Sequence, residues 1–166
     1  MGVMPSDPPD AFVVRRATAD DAEELARIRW QWSNEGRTPT ATREAFLAEM
    51  VAMVHAYLEG GHWTIWVAVD GTTERLAGTA FLQRIDKVPR PYPRPSSWGY
   101  VSNVYVVPEL RDRGIGRRIM DALIRESRHE GMDRLLLSPS DRAVPFYRRL
   151  GFGSPRRELE LALEED

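Results

Sequence analysis

Between Val104 and Arg118 the chain changes its hydrophobic rhythm, and this change limits the folds open to it. Trp98 to Val107 is the longest β-like run, and Pro108 stops it. From Gly114 to Glu130 the apolar residues Ile115, Ile119, Leu123 and Ile124 mark one helical face, and Gly131 supplies a C-terminal stop. A strand that passes through a short loop into a helix belongs to a mixed α/β domain. The loop is Arg111-Asp112-Arg113-Gly114-Ile115-Gly116, with Arg117 and Arg118 just beyond it. A helix start leaves several N–H groups unpaired and carries the positive end of the helix dipole. Glycines let an anion approach the backbone closely, and the arginines add positive charge. These residues make a physically sound anion site. They also read as solvated arginines with glycines punctuating a helix entry, so the loop alone does not decide. Two familiar phosphate loops are excluded. No Gly-Lys-Ser/Thr follows the glycines, and the third glycine of a dinucleotide fingerprint is replaced by Ile119.

The rest of the chain fits one domain. It has 166 residues, 42% of them hydrophobic, enough to build a core at this length. A formal net charge of −2 gives no general attraction to nucleic acid or to an anionic membrane. Six arginines fall between Arg111 and Arg128, but Asp112, Asp121 and Glu126 accompany them. There is no cysteine, which removes disulfides, thiolate metal sites and a cysteine nucleophile together. The three histidines, His55, His62 and His129, have no ligand-like spacing, so no metal is expected. No apolar run approaches a membrane helix, and Met1 to Asp10 lacks the apolar core of a signal peptide. The expected organisation is a disordered lead-in at 1–10, a domain at 11–166 and a cytoplasmic location.

The remaining elements are read from periodicity. Phe12 to Arg16 is a short β-branched strand. Thr18 is a candidate N-cap, and Asp20, Asp21, Glu23 and Glu24 suit the start of a helix that runs to about Asn34. Thr40 or Thr42 starts a second helix through Phe46, Met50, Met53, Val54 and Tyr57, ended by Gly60-Gly61. Trp63 to Val69 and Leu76 to Ile85 form a hairpin about Asp70-Gly71. Val88 to Pro95, with a proline at every second position, is a loop between strands. Arg134 to Ser138 is a short apolar strand. Ser140 or Asp141 caps a helix through Tyr147 and Leu150, and Glu158 to Leu163 is a last strand.

Arg111-x-x-Gly114-x-Gly116 resembles the acetyl-CoA loop of the GNAT superfamily of N-acetyltransferases, and Val104-Tyr105-Val106-x-Pro108-Glu109 is similar to that family's lead-in strand. About 30 residues on, Ala143-Val144-Pro145-Phe146-Tyr147 with Gly151-Phe152 is similar to the family's closing signature, except that Ser140 stands where many relatives carry Asn. The order of elements also matches, so the resemblance covers roughly residues 12 to 163. It implies a single-domain α/β fold: a mixed, mostly antiparallel sheet of six or seven strands with flanking helices, splayed between the fourth and fifth strands. The implied activity is transfer of an acetyl group from acetyl-CoA to a primary amine of a small molecule. A regulatory module that binds acyl-CoA without turnover, or a protein N-acetyltransferase, is the alternative. Cofactor-binding positions implied by the resemblance are Val104, Tyr105, Val106, Arg111, Asp112, Arg113, Gly114, Ile115, Gly116, Arg117, Ser140 and Phe146. Family habit alone implies a homodimer.

Acetyl transfer needs a neutral amine, a stabilised oxyanion and a proton for the departing thiolate. The resemblance places Tyr147 beside the sulfur, and a phenol stays protonated at neutral pH and can donate. It also implies a backbone N–H near Val106 for the oxyanion. The strand from Gly99 to Val107 has no carboxylate, so the base is expected to be a water relay through Ser102 or Asn103, or an acid from the first two helices such as Glu35. Trp30 and Trp32 read either as core residues or as walls of the acceptor site.

Overall fold

The computed structural model describes residues 12–91, 97–153 and 161. Strand β1 (Phe12–Arg16) leads through one 3-10 turn into helices α1 (Ala22–Ser33) and α2 (Arg43–Glu59). The strands β2 (Trp63–Asp70), β3 (Leu76–Asp86) and β4 (Ser97–Val106) come next. Then come α3 (Ile115–His129), the two-residue strand β5 (Leu135–Leu136) and α4 (Val144–Arg149). The sheet has the spatial order β1-β2-β3-β4-β5, antiparallel throughout except for the parallel pair β4–β5.

Local chemistry sets the element ends. At the entry to α1 the Asp21 carboxylate accepts the Thr18 N–H at 2.8 Å and both guanidinium nitrogens of Arg15 at 2.7 and 2.9 Å. Of the two threonines that could open α2, Thr42 is the cap; its hydroxyl accepts the Ala45 N–H at 3.3 Å. The β2–β3 turn is held by Asp70, whose carboxylate accepts the N–H groups of Thr72 and Thr73 at 2.8 and 3.3 Å. Its left-handed residue is Glu74, at φ 58°, rather than Gly71.

Side chains from opposite faces of the sheet build two cores. Leu25 and Ile28 of α1 and Val54 of α2 pack on Ile65, Val67 and Phe81. On the other face Ile115, Ile119, Met120 and Leu123 of α3 pack on Ala68, Ala80, Leu82 and Val101. Each of the larger side chains contributes about 1.5–3 kcal/mol by leaving water. The strand periodicity of β2 to β4 thus serves two helical layers, which is why their sequences are apolar on both faces.

Two irregularities shape β4. Its register against β3 shifts between Thr79↔Tyr105 and Phe81↔Ser102, which places one extra residue in β4, and Asn103 takes φ 50° there. Such a bulge bends the strand and re-aims the residues beyond it, here Val104 to Val106. On the other edge, pairing with β5 covers Gly99↔Leu135 and Tyr100↔Leu136. The strand expected over Arg134 to Ser138 is therefore shortened to two residues, and residues 137–140 run irregularly. The helix expected from Ser140 begins as a 3-10 turn, Asp141–Ala143, before α4. Against the expected six or seven strands, the described residues form five. The strand expected over Glu158 to Leu163 lies outside them except for Leu161, as does the lead-in at 1–10.

Candidate active site

A cleft of about 420 Å³ opens where β4 loses its second neighbour. One wall is the strand Val104, Tyr105 and Val106; the floor is Arg111, Asp112, Gly114, Ile115, Gly116 and Arg117; the far wall includes Phe146 and Tyr147 of α4. Of Tyr147 and the cofactor-binding positions named from the sequence, the structure brings together all except Arg113 and Ser140, which do not line the cleft; Glu35, Ser102 and Asn103, named for proton removal, are not in its lining either. Ser140 is exposed and its carbonyl closes the 3-10 turn, accepting the N–H groups of Ala143 and Val144 at 2.8 and 3.2 Å. Arg113 lies on the exposed side of the loop.

The loop is built from two left-handed residues, Asp112 at φ 63° and Gly114 at φ 78°. Gly114 has open space where a Cβ would stand, so conformation rather than crowding requires glycine there. After this turn the first amides of α3 have no earlier carbonyl to bind. Among the described residues, the N–H groups of Gly114, Ile115, Gly116 and Arg117 have no hydrogen-bond partner. A Cβ on Gly116 would meet Val106 Cγ2 at 3.5 Å and Phe146 Cζ at 3.6 Å, so glycine here keeps a trough open between strand and α4. Unpaired amides and a dipole end on the floor of a cleft suit an anion such as a diphosphate.

The arginines are less available than their number suggests. Arg117 reaches Asp121 at 3.5 Å, and Arg118 donates to the Phe12 carbonyl at 2.8 Å. The Arg111 guanidinium turns back: Nε donates to the Val106 carbonyl at 3.0 Å, and Nη2 reaches both Glu35 oxygens at 3.1 and 3.3 Å.

Tyr147 is buried, 9% exposed, with its ring edge-on to Phe146 and Phe152 at 5.1 and 5.8 Å between centroids. Burial pushes its phenol above the usual range, which keeps it protonated at neutral pH. Among the described residues its hydroxyl has no hydrogen-bond partner, and it lines the cleft.

A polar cluster lies on the α1 side of β4. The Tyr105 hydroxyl donates to Glu35 at 2.6 Å, and its ring stacks on Trp32 at 5.2 Å. The hydrogen bond from Tyr105, together with Arg111, holds the Glu35 carboxyl below the usual carboxylate range, while burial and that same bond push Tyr105 upward. Glu35 is therefore charged and engaged, a poor proton acceptor. Asn103 Nδ2 donates to the Ser102 hydroxyl at 3.4 Å. Trp30 packs on Phe46 at 5.4 Å, and Arg29 covers Trp32 at 4.5 Å, so both tryptophans have packing partners. The Glu35–Tyr105–Arg111 cluster escaped sequence reasoning because Glu35 is 70 residues from Tyr105 and no local spacing links them. Among the described residues no group of three or more His, Asp or Glu could hold a metal, and no helix is long and apolar enough to cross a membrane.

The family model described as Acetyltransferase (GNAT) family matches residues 22–152. A glucosamine 6-phosphate N-acetyltransferase from Trypanosoma brucei brucei is 32% identical over 91 residues, 55% of this chain and 60% of that protein. Glucosamine 6-phosphate N-acetyltransferase 1 from Oryza sativa subsp. japonica is 29% identical over 122 residues, 69% of this chain and 66% of that protein. The chain thus spans somewhat less than two thirds of the length of these curated relatives. Among solved structures, that of a predicted acetyltransferase with acetyl-CoA from Clostridium acetobutylicum superimposes with a TM-score of 0.74 at 25% identity, covering 92% of this chain and 96% of the other.

Proposed function

Since the chain belongs to the GNAT acetyltransferase family, we propose that it transfers an acetyl group from acetyl-CoA to a primary amine of a small molecule. The observation that carries the proposal is the run of amides from Gly114 to Arg117, unpartnered among the described residues, at the foot of a strand whose far edge is open among those same residues. In this reading the loop amides hold the pyrophosphate, and the main chain of Val104 and Val106 pairs with the pantetheine arm as a further β-strand would. The sheet is splayed between β4 and β5 to admit that arm, with Gly116 leaving room for it. Arg111 and Asp112 shape the loop, and Arg113 and Arg117 add positive charge to it. Ser140 offers a polar contact in place of the asparagine of many relatives.

Bound acetyl-CoA supplies an activated thioester. The chain's own residues supply its setting. The Tyr147 hydroxyl, kept protonated by burial, donates its proton to the departing sulfur. A backbone N–H near Val106 faces the carbonyl oxygen where negative charge develops. With Glu35 engaged by Arg111 and Tyr105, proton removal from the amine falls to a water relay through Ser102 or Asn103. Glucosamine 6-phosphate, the acceptor named for both curated relatives, is the first acceptor to test. A cytoplasmic location and a homodimer belong to the same proposal.

Thiol release from acetyl-CoA in the presence of an amine panel that includes glucosamine 6-phosphate tests it. Acetyl transfer to at least one amine is expected. A protein with no calorimetric affinity for coenzyme A in any acyl form would end the reading. Binding without thiol release for any amine would convert it to a non-catalytic acyl-CoA module.

A further inference from the structure

We infer that Glu35 is a positioning residue for the cofactor loop: it fixes the Arg111 guanidinium so that Nε stays on the Val106 carbonyl and the loop keeps its amide-presenting shape. The inference rests on the reading that this loop binds a diphosphate. Arg111 is held at three points, by Val106 O at 3.0 Å and by the two Glu35 oxygens at 3.1 and 3.3 Å, with its carbon over the Tyr105 ring at 5.4 Å. Glu35 is itself held by the Tyr105 hydroxyl at 2.6 Å, and Tyr105 by its stack on Trp32 of α1. The chain Trp32–Tyr105–Glu35–Arg111–Val106 therefore ties the end of α1 to the corner where β4 becomes the loop.

The corner needs such a brace. Two left-handed residues stand within three positions, Asp112 and Gly114, and Asp112 is not glycine. Backbone bonds hold the segment before it, Leu110 N–H to Val107 O at 3.0 Å and Arg111 N–H to Pro108 O at 3.3 Å, and the next is Arg118 N–H to Gly114 O at 3.0 Å. A site made of main-chain amides binds in proportion to how well they are fixed beforehand. A carboxylate close to a diphosphate costs affinity by repulsion, but Arg111 neutralises it, and a screened charge at this exposure weighs little. Fixing the loop outweighs the charge, so Arg111 serves the site through the backbone rather than by reaching for the phosphates.

Calorimetric titration of acetyl-CoA into the full chain and its variants tests this. Glu35→Gln removes the charge that holds Arg111 and should weaken binding about fivefold. Arg111→Lys keeps the charge but loses the planar fork, and should weaken binding by a similar factor. The double variant should be no weaker than Arg111→Lys alone, since both act through one brace. Tyr105→Phe, which leaves the stacked ring in place, should weaken binding about two- to threefold and serves if the other variants fold poorly. Tighter binding by Glu35→Gln would mean that a released Arg111 grips phosphate, and would overturn the inference. So would unchanged affinity with a large fall in kcat, which would make Glu35 the base. Absence of binding by the unmodified chain would remove the functional reading itself, and this inference with it.

Discussion

From Gly99 to Tyr100, β4 is paired on both edges, with β3 and with β5. From Val101 to Val106, among the described residues, it is paired with β3 alone. The closed part is bounded by packing. Gly99 is wedged between Leu135 and Leu82, each 2.6 Å from where a Cβ would stand, and neighbouring Trp98 is flanked by Arg134 at 4.6 Å and Lys87 at 5.8 Å. The open part is bounded by a cleft, and its glycines, Gly114 and Gly116, serve shape rather than density. One strand thus does two jobs. Where its backbone is satisfied it holds the fold together, and where it is not it leaves main-chain groups for the pantetheine arm that the proposed function pairs with it. Changes in the closed part should register in stability, and changes in the open part in binding or turnover.

The largest separation is expected at the loop. Gly114→Val forces a β-branched residue to φ 78°, at a cost of about 2 kcal/mol or more. The loop should yield before the core does, so acetyl-CoA affinity falls about thirtyfold or more by calorimetry. Unchanged affinity would mean that the loop does not hold the ligand. Next, Tyr147→Phe should lower kcat about tenfold or more while affinity holds, because it deletes a proton donor and leaves the ring. Equal losses in both would make Tyr147 a packing residue. In the closed part, Gly99→Ala should cost about 2 kcal/mol in denaturant unfolding, with the affinity of the folded fraction intact. The smallest effect is the most discriminating. Gly116→Ala adds a methyl group at ordinary contact distance from Val106 and Phe146, and alanine favours a helix by about 1 kcal/mol. Its Tm should hold or rise while affinity falls about threefold. A fall in Tm with affinity unchanged would reverse the assignment of that glycine.

The same contrast explains what the sequence could reveal. The loop was legible because its chemistry is local: glycines for a left-handed turn and a trough, an apolar helix face just after, a proline just before. The hairpin and the first strand were legible for a similar reason, since alternation and Asp70 act over a few residues. The extent of β5 was not, because an apolar run is bounded by what its neighbour permits, and here its pairing with β4 stops at Tyr100. The bulge at Asn103 is equally silent in composition. The Glu35 cluster depends on the end of α1 reaching β4, where Trp32 stacks on Tyr105, a tertiary fact with no sequence period. The arginines misled in a different way. Their number suggested a field of positive charge, whereas Arg111, Arg117 and Arg118 each bind a partner within the protein.

In the proposed function, unpartnered main-chain amides rather than arginine side chains grip the ligand. Following backbone amide resonances during a titration with coenzyme A tests it most directly. The largest shifts are expected at Gly114, Ile115, Gly116 and Arg117, with smaller ones at Val104 and Val106 and little change at Gly99 and Tyr100. Saturable binding that leaves 114–117 undisturbed, or no response at millimolar ligand, would contradict it.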